Sequence, residues 1–291
     1  MKNFFISLIT TAIIFLVSCI KEDNNMQNEI PLNITKISNF IVKDNMLIFN
    51  SKEDYNLLLH ELANIDFDKW DEWEIKNNFF SYRRAKTIDN NLNVDPLFAT
   101  ILNYEGKVQI DKYIYIVDFT KECIKVVNSY NFLKSFYDTL EFKFNDNIIE
   151  ILYSDYPELL KSSSASCDKC KNNEIESNEI YYYGNTQNYK YRLKYYRAGI
   201  YSSLYIQVWQ TGNCIFSSSI LSYQFTEDSY WSNICDGYTG MISKYSFENK
   251  KGCTLYKSIY QAYKDLRYFD IYSEFAVDGF LLGGGHLQCK Y

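Results

Sequence analysis

From Ile180 onward, turn residues cut the chain into strand-length runs at short, regular intervals, which leaves few folds open to it. The breaks are Gly184-Asn185, Ala198-Gly199, Thr211-Gly212-Asn213 and Asp236-Gly237. Between them, Tyr189 to Tyr196, Ile200 to Trp209 and Cys214 to Phe225 are rich in aromatic and branched residues. Such side chains fit a pleated surface and lose rotamer freedom in a helix. Short strands with regular turns predict a β-rich, sandwich-like domain over residues 180–291. Residues 253–268 stay undecided between helix and strand. Leu255, Ile259, Tyr263 and Leu266 recur at helical spacing, while the tyrosines around them suit strands.

Residues 30–161 mix both periods, so the chain as a whole reads as α+β. Phe40 to Phe49 predicts two short strands around the Asp44-Asn45 turn. Ser51-Lys52-Glu53-Asp54 approximates a capping box, and the helix behind it carries Tyr55, Leu58, Leu59 and Leu62 on one face. A second helix near Asp66 or Asp68 would place Trp70 and Trp73 one turn apart. Asp95-Pro96 starts another, with Pro at the first helical position. After Glu105-Gly106 a meander is expected, with strands Val108–Ile110, Tyr113–Asp118 and Cys123–Val127. Ser162 to Ser166 is small and polar, which makes residues 162–179 the expected linker.

The first nineteen residues carry an address. Met1-Lys2-Asn3 is a short basic start, followed by an apolar run from Phe4 to Val17 that is short for a membrane span. The run ends in Leu16-Val17-Ser18-Cys19, which resembles a bacterial lipobox. The resemblance implies a lipoprotein signal peptide over residues 1–18, cleavage before Cys19, diacylglycerol on its sulfur and an acyl chain such as palmitate on the new amino terminus. Several acyl chains, at about 0.8 kcal/mol per buried CH₂, make a durable anchor. Residues 19–29 then form a polar tether. Its early acids, Glu22 and Asp23, resemble the surface-export signal of Bacteroidetes-type lipoproteins, so an outer-membrane, surface-exposed location is expected.

The order DNMLIFNSKEDYNLLLHEL, WDEWE, FFSYRRA and LFATILNYEGKVQIDKYIYIVD resembles a module of uncharacterised Bacteroidetes-type lipoproteins, a domain of unknown function. There, a strand pair and a helix precede an LN-x-x-G-x-x-x-I turn into strands. The resemblance covers about residues 38–128 and implies location and architecture rather than an activity. Asp138-Thr139-Leu140 also resembles a short O-glycosylation acceptor of the same bacterial group.

Export makes disulfides the leading use of cysteine. Besides Cys19 and Cys123, the chain carries Cys167, Cys170, Cys214, Cys235, Cys253 and Cys289, with pairing that sequence does not choose. Cys167 and Cys170 have C-x-x-C spacing, but they follow a serine run rather than a strand leading into a helix, so a redox pair is disfavoured. The other four are too dispersed for a zinc site. Cys123 is expected to be a buried thiol in a strand.

Catalytic signals are thin. The two histidines, His60 and His286, sit on the Leu-rich helix and after the triple glycine Gly283-Gly284-Gly285, read as a flexible turn. There is no G-x-S-x-G elbow and no phosphate loop. Asp71, Glu72 and Glu74 flank Trp70 and Trp73, a pattern open to sugar chemistry. It reads more simply as a helix with tryptophans inward and acids in water. A charge balance of −6, with 30 basic and 36 acidic side chains, argues against nucleic acid as a partner.

The 28 tyrosines and 20 phenylalanines are the most suggestive feature. Aromatic faces stack on sugar rings, and Tyr183, Tyr205, Trp209 and Trp231 are the expected ligand face. The expected role is therefore a non-catalytic binding or interaction protein of the envelope, for a glycan or a host macromolecule, without cofactor or metal. A polysaccharide- or peptide-hydrolysing enzyme and a structural subunit of an envelope complex are the alternatives.

Overall fold

Two left-handed residues set the first hairpin of the described chain. Asp44 and Asn45 both have positive φ, 50° and 54°, as a two-residue hairpin turn of this hand requires. They join β1 (Phe40–Lys43) to β2 (Met46–Phe49), with Lys43 opposite Met46. The computed structural model describes residues 38–86, 94–128, 148–152, 170–212, 214, 218–233, 239–263 and 265–289. The lipobox and Cys19, the tether, Asp138 to Leu140, Ser162 to Ser166, Cys167 and Cys235 lie outside the described residues.

Ser51 caps α1 (Lys52–Ala63) by accepting from the Asp54 N–H, and the helix buries Tyr55, Leu58, Leu59 and Leu62. A single tight turn, Phe67–Lys69, leads into α2 (Trp70–Lys76). Trp70 is buried and its indole donates to the Leu62 carbonyl at 3.0 Å. Two short helices follow: α3 (Tyr82–Ala85), capped by Ser81, and α4 (Pro96–Ile101), capped by Asp95. Then come β3 (Lys107–Ile110), β4 (Tyr113–Asp118), β5 (Cys123–Asn128) and β6 (Ile148–Leu152). The first sheet runs β1 to β6 in chain order. Its one parallel pair, β2 with β3, is bridged by the helices, because a parallel connection needs a crossover. Cys123 is buried on β5, as expected.

The second sheet has the order β15, β10, β9, β7, with β8 also on β9. Its strands are β7 (Asn173–Glu176), β8 (Ile180–Tyr182), β9 (Gln187–Arg197), β10 (Ser202–Gln210) and β15 (Thr254–Ala262). The third holds β11 (Ile220–Phe225), β12 (Ser229–Ser232), β13 (Gly240–Ile242), β14 (Phe247–Lys251), β16 (Tyr268–Val277) and β17 (Phe280–Cys289). There β11 and β12 pair end to end along one side of β16, with β14 and β13 outside them and β17 on the other side.

The second sheet is a middle layer, which explains why every residue of β10 is buried. Tyr191, Leu193 and Tyr195 alternate toward the third sheet, where Tyr191 stacks on Phe275 at 5.0 Å and Tyr195 meets Phe269 at 5.1 Å. The opposite face, with Tyr196, Tyr205 and Tyr256, packs on the helices. Trp70 meets Tyr256 there at 5.4 Å, and Phe98 stacks on Tyr201 at 4.7 Å. The described residues fall within one compact unit, Ile37–Tyr291. Among the described residues strands dominate, and the helices all precede β3.

Three expectations change. The end of the expected linker is strand β7, because Glu174 and Glu176 stand opposite Lys194 and Arg192 on β9 and pair with them. The undecided stretch is β15. Leu204 pairs with Tyr260 but Tyr205 pairs with Ser258, so Ile259 is an extra residue that breaks the two-residue period. The triple glycine is extended chain in β17 rather than a turn. A Cβ on Gly285 would lie 2.9 Å from Ile175 Cγ2, so the glycines let β17 close against β7.

Two bridges are present among the described cysteines: Cys170 with Cys289 and Cys214 with Cys253, separated by 119 and 39 residues. Cys170 is thus joined to the last strand and not to Cys167. Loops of these lengths correspond to roughly 5 and 4 kcal/mol of lost unfolded-state entropy.

Candidate functional site

The middle layer scatters the four aromatics expected to form one ligand face. Tyr183, in the β8–β9 turn, is 85% exposed, with its ring edge-on to Tyr181. Tyr205 is buried under the helices against Tyr256. Trp209 is buried too, with the Arg192 guanidinium 5.2 Å from its ring. Trp231 is half-buried against Tyr260 in the third sheet. Alternation along a strand makes an open face only when one side of the sheet meets water, and here neither side of β10 does.

Two of the acids around the tryptophans, Asp71 and Glu74, are likewise structural. Glu74 is fully buried and accepts from Ser81 Oγ and Arg83 Nη2, both at 2.8 Å, while Arg83 also pairs with Asp71. The expectation that all three acids face water therefore fails at Glu74, whose partners tie α2 to α3. His60 meets Gln261 Nε2 through Nδ1 at 2.8 Å. His286 lies on β17, bonded to Asp270 at 2.6 Å and stacked on Tyr272. Among the described residues no three metal-ligating side chains converge, and no helix is long and apolar enough to cross a membrane.

What the fold does build is a cleft of about 620 Å³ between the N-terminal part and the edge of the second sheet. One wall is aromatic. Tyr82 opens α3, and Phe119 follows β4, with ring centres 4.7 Å apart. Phe119 is placed by a tight turn in which Asp118 Oδ1 accepts from the N–H groups of Thr120 and Lys121 at 3.1 and 3.0 Å. The other wall is Tyr196 and Lys194 from β9 with Asn172 and Glu174 from the β7 edge. Lys194 Nζ pairs with Glu174 at 2.8 Å and lies 5.7 Å from the Tyr196 ring. Burial lowers the Lys194 pKa, opposed by that carboxylate. Burial, then the Asp118 charge, raises that of Tyr82.

Asp95, next in sequence to the cleft residue Val94, fastens α4 to the second sheet. Its buried carboxylate accepts from Tyr201 Oη at 2.6 Å, Tyr256 Oη at 2.8 Å, Ser203 Oγ, and the Leu97 N–H at 2.8 Å. Burial pushes its pKa above the usual carboxylate value even though these donors pull the other way.

Chemically, the cleft offers flat apolar rings, a side-chain amide and a paired charge. Neither histidine belongs to it. None of its residues stands out in the sequence, because positions 82, 119, 172 and 196 meet only once the sheets are stacked.

No family model matches the chain, and no curated protein does. A solved structure of a DUF4848 family protein from Bacteroides thetaiotaomicron is matched at 9% identity, over 86% of this chain and 99% of that one, with a TM-score of 0.21. A score this low does not establish a shared fold, so function rests on the chain's own geometry.

Proposed function

We propose that the protein is a lipid-anchored, surface-exposed envelope protein that binds carbohydrate without turning it over, in the cleft beside Tyr82, Phe119 and Tyr196. The observation that carries this is the composition of the cleft. Aromatic rings fit the C–H faces of a sugar, and Asn172 with the Lys194–Glu174 pair supplies hydrogen-bond donors and acceptors for its hydroxyls. A volume of about 620 Å³ is within the range of small-ligand sites. The lipobox at Leu16 to Cys19 and the polar tether support the anchored location.

The test is affinity electrophoresis of the chain carrying Cys19→Ser through gels cast with plant and host polysaccharides. Retardation by at least one of them, lost in Phe119→Ala and Tyr196→Ala, supports the reading. Uniform mobility across the panel removes it. The hydrolase alternative has one observation in its favour, that Glu122 and Glu174 both line the cleft. Release of reducing ends that stops in Glu174→Gln, with retardation kept, would replace binding by hydrolysis. Labelling with a palmitate analogue, absent in Cys19→Ala, checks the anchor.

A further inference from the structure

The third sheet is broken at one level across two neighbouring strands, and the break is built rather than frayed. Residues 226–228 separate β11 from β12, and residues 243–246 separate β13 from β14. Across the gap the Thr226 N–H donates to the Tyr272 carbonyl at 3.1 Å and the Tyr245 N–H to the Phe225 carbonyl at 2.8 Å. The Lys244 N–H donates to Asp228 Oδ1 at 2.7 Å. The result is an open recess of about 430 Å³ lined by Glu227, Asp228, Lys244 and Tyr272.

Tyr272 is held as a rigid wall. Its ring stacks on the His286 imidazole at 3.8 Å with an interplanar angle of 8°. His286 is in turn fixed through Nε2 to Asp270 Oδ1 at 2.6 Å, and Asp270 Oδ2 accepts from Tyr268 Oη at 3.3 Å. One ring face is thus occupied by imidazole, and the residue so held lines the recess. Such a chain of supports fixes a ring before any ligand arrives, which lowers the ordering cost of binding.

We propose that this recess is a second ligand site, for a single neutral sugar ring, separate from the cleft. The lining selects that class over the others. Lys244 Nζ lies 3.6 Å from Glu227, so a cation meets an ammonium and an anion meets two carboxylates. A hydroxyl-rich neutral ring meets both donors and acceptors, and Tyr272 offers a face to its C–H groups. The site shares no residue with the cleft, so either can fail alone.

The experiment is saturation-transfer NMR of the full chain carrying Cys19→Ser and Phe119→Ala, the second change removing an aromatic ring of the cleft, with glucose, galactose, mannose and N-acetylglucosamine as separate probes. At least one sugar is expected to bind with a Kd of about 1 mM. Tyr272→Ala and Lys244→Ala should each weaken it about tenfold, while Tyr272→Phe stays within about threefold because the ring face and not the hydroxyl is used. Lys244 and Glu227 are exposed, so Lys244→Ala and Glu227→Ala report on the recess even if Tyr272→Ala fails to fold. Absence of transfer to all four sugars overturns the proposal. So does transfer that, in the Phe119→Ala background, survives both Lys244→Ala and Glu227→Ala.

Discussion

The two faces of β9 and β10 use the same residue type for opposite purposes. Toward the third sheet, Tyr191 and Tyr195 lay their rings against Phe275 and Phe269, and each hydroxyl meets a neutral partner, Ser273 Oγ for Tyr191 and the Leu266 N–H for Tyr195. Toward the helices, Tyr201 of the β9–β10 turn and Tyr256 of β15 serve as donors, converging on one buried carboxylate. The first face draws mainly on burial, which is non-directional and scales with area. The second draws on hydrogen bonds, which add little net energy when made but leave a costly gap when one partner is removed. A tyrosine count therefore says little about what tyrosines do; the layer each one faces decides.

The comparison breaks first at the stacked face. Phe275→Ala should cost about 3–5 kcal/mol in denaturant unfolding, from lost transfer energy plus a cavity. A loss below about 1 kcal/mol would mean that the two sheets do not share a core. Asp95→Ala should cost about 2–4 kcal/mol, since it removes the α4 cap and leaves three hydroxyls without their acceptor. If Asp95→Ala matched the parent protein, the helices and the second sheet would not be fastened there.

Two milder variants sharpen the contrast through pH. Burial raises the Asp95 pKa, so the folded chain holds that proton more tightly than the unfolded one. Its contribution is fully present below the ordinary carboxylate pKa of about 4 and is lost as pH rises through the raised value. Asp95→Asn keeps a capping side chain and should flatten that decline, read as unfolding midpoints between acid and neutral pH. Glu176 has the opposite sign. Burial pushes it up, but the hydrogen bonds and charges of Arg192 and Lys190 prevail and hold it below the usual value. Its contribution is present above the ordinary value and lost as pH falls through the lowered one. Because Glu176 is partly exposed, Glu176→Gln should cost under about 1 kcal/mol at neutral pH. Its cost should vanish in acid, and a cost that persists there would assign Glu176 a packing role instead.

Local signals were legible wherever one element decides its own shape. The Asp44-Asn45 hairpin, the Leu-rich face of α1, the Asp95-Pro96 helix start and the β3 to β5 meander all follow from neighbours in sequence. Where two layers decide together, the signal was lost. The bulge at Ile259 mimics helical spacing, and Gly285 makes sense only once Ile175 of another sheet lies against it. The ligand face was unreadable for the same reason. Period two shows that Tyr205 and Trp209 share a side of β10, but not that this side is roofed.

The Cys170–Cys289 bridge has a mechanical meaning as well. It closes a loop of 119 residues around nearly all of the second and third sheets. At about 3.4 Å per extended residue, roughly 400 Å of chain is withheld from stretching. A pull applied between the N-terminal sheet and the third sheet lengthens only the chain ahead of Cys170, while the covalent ring beyond it bears tension without unravelling. A nick anywhere inside that ring would likewise leave the two pieces joined.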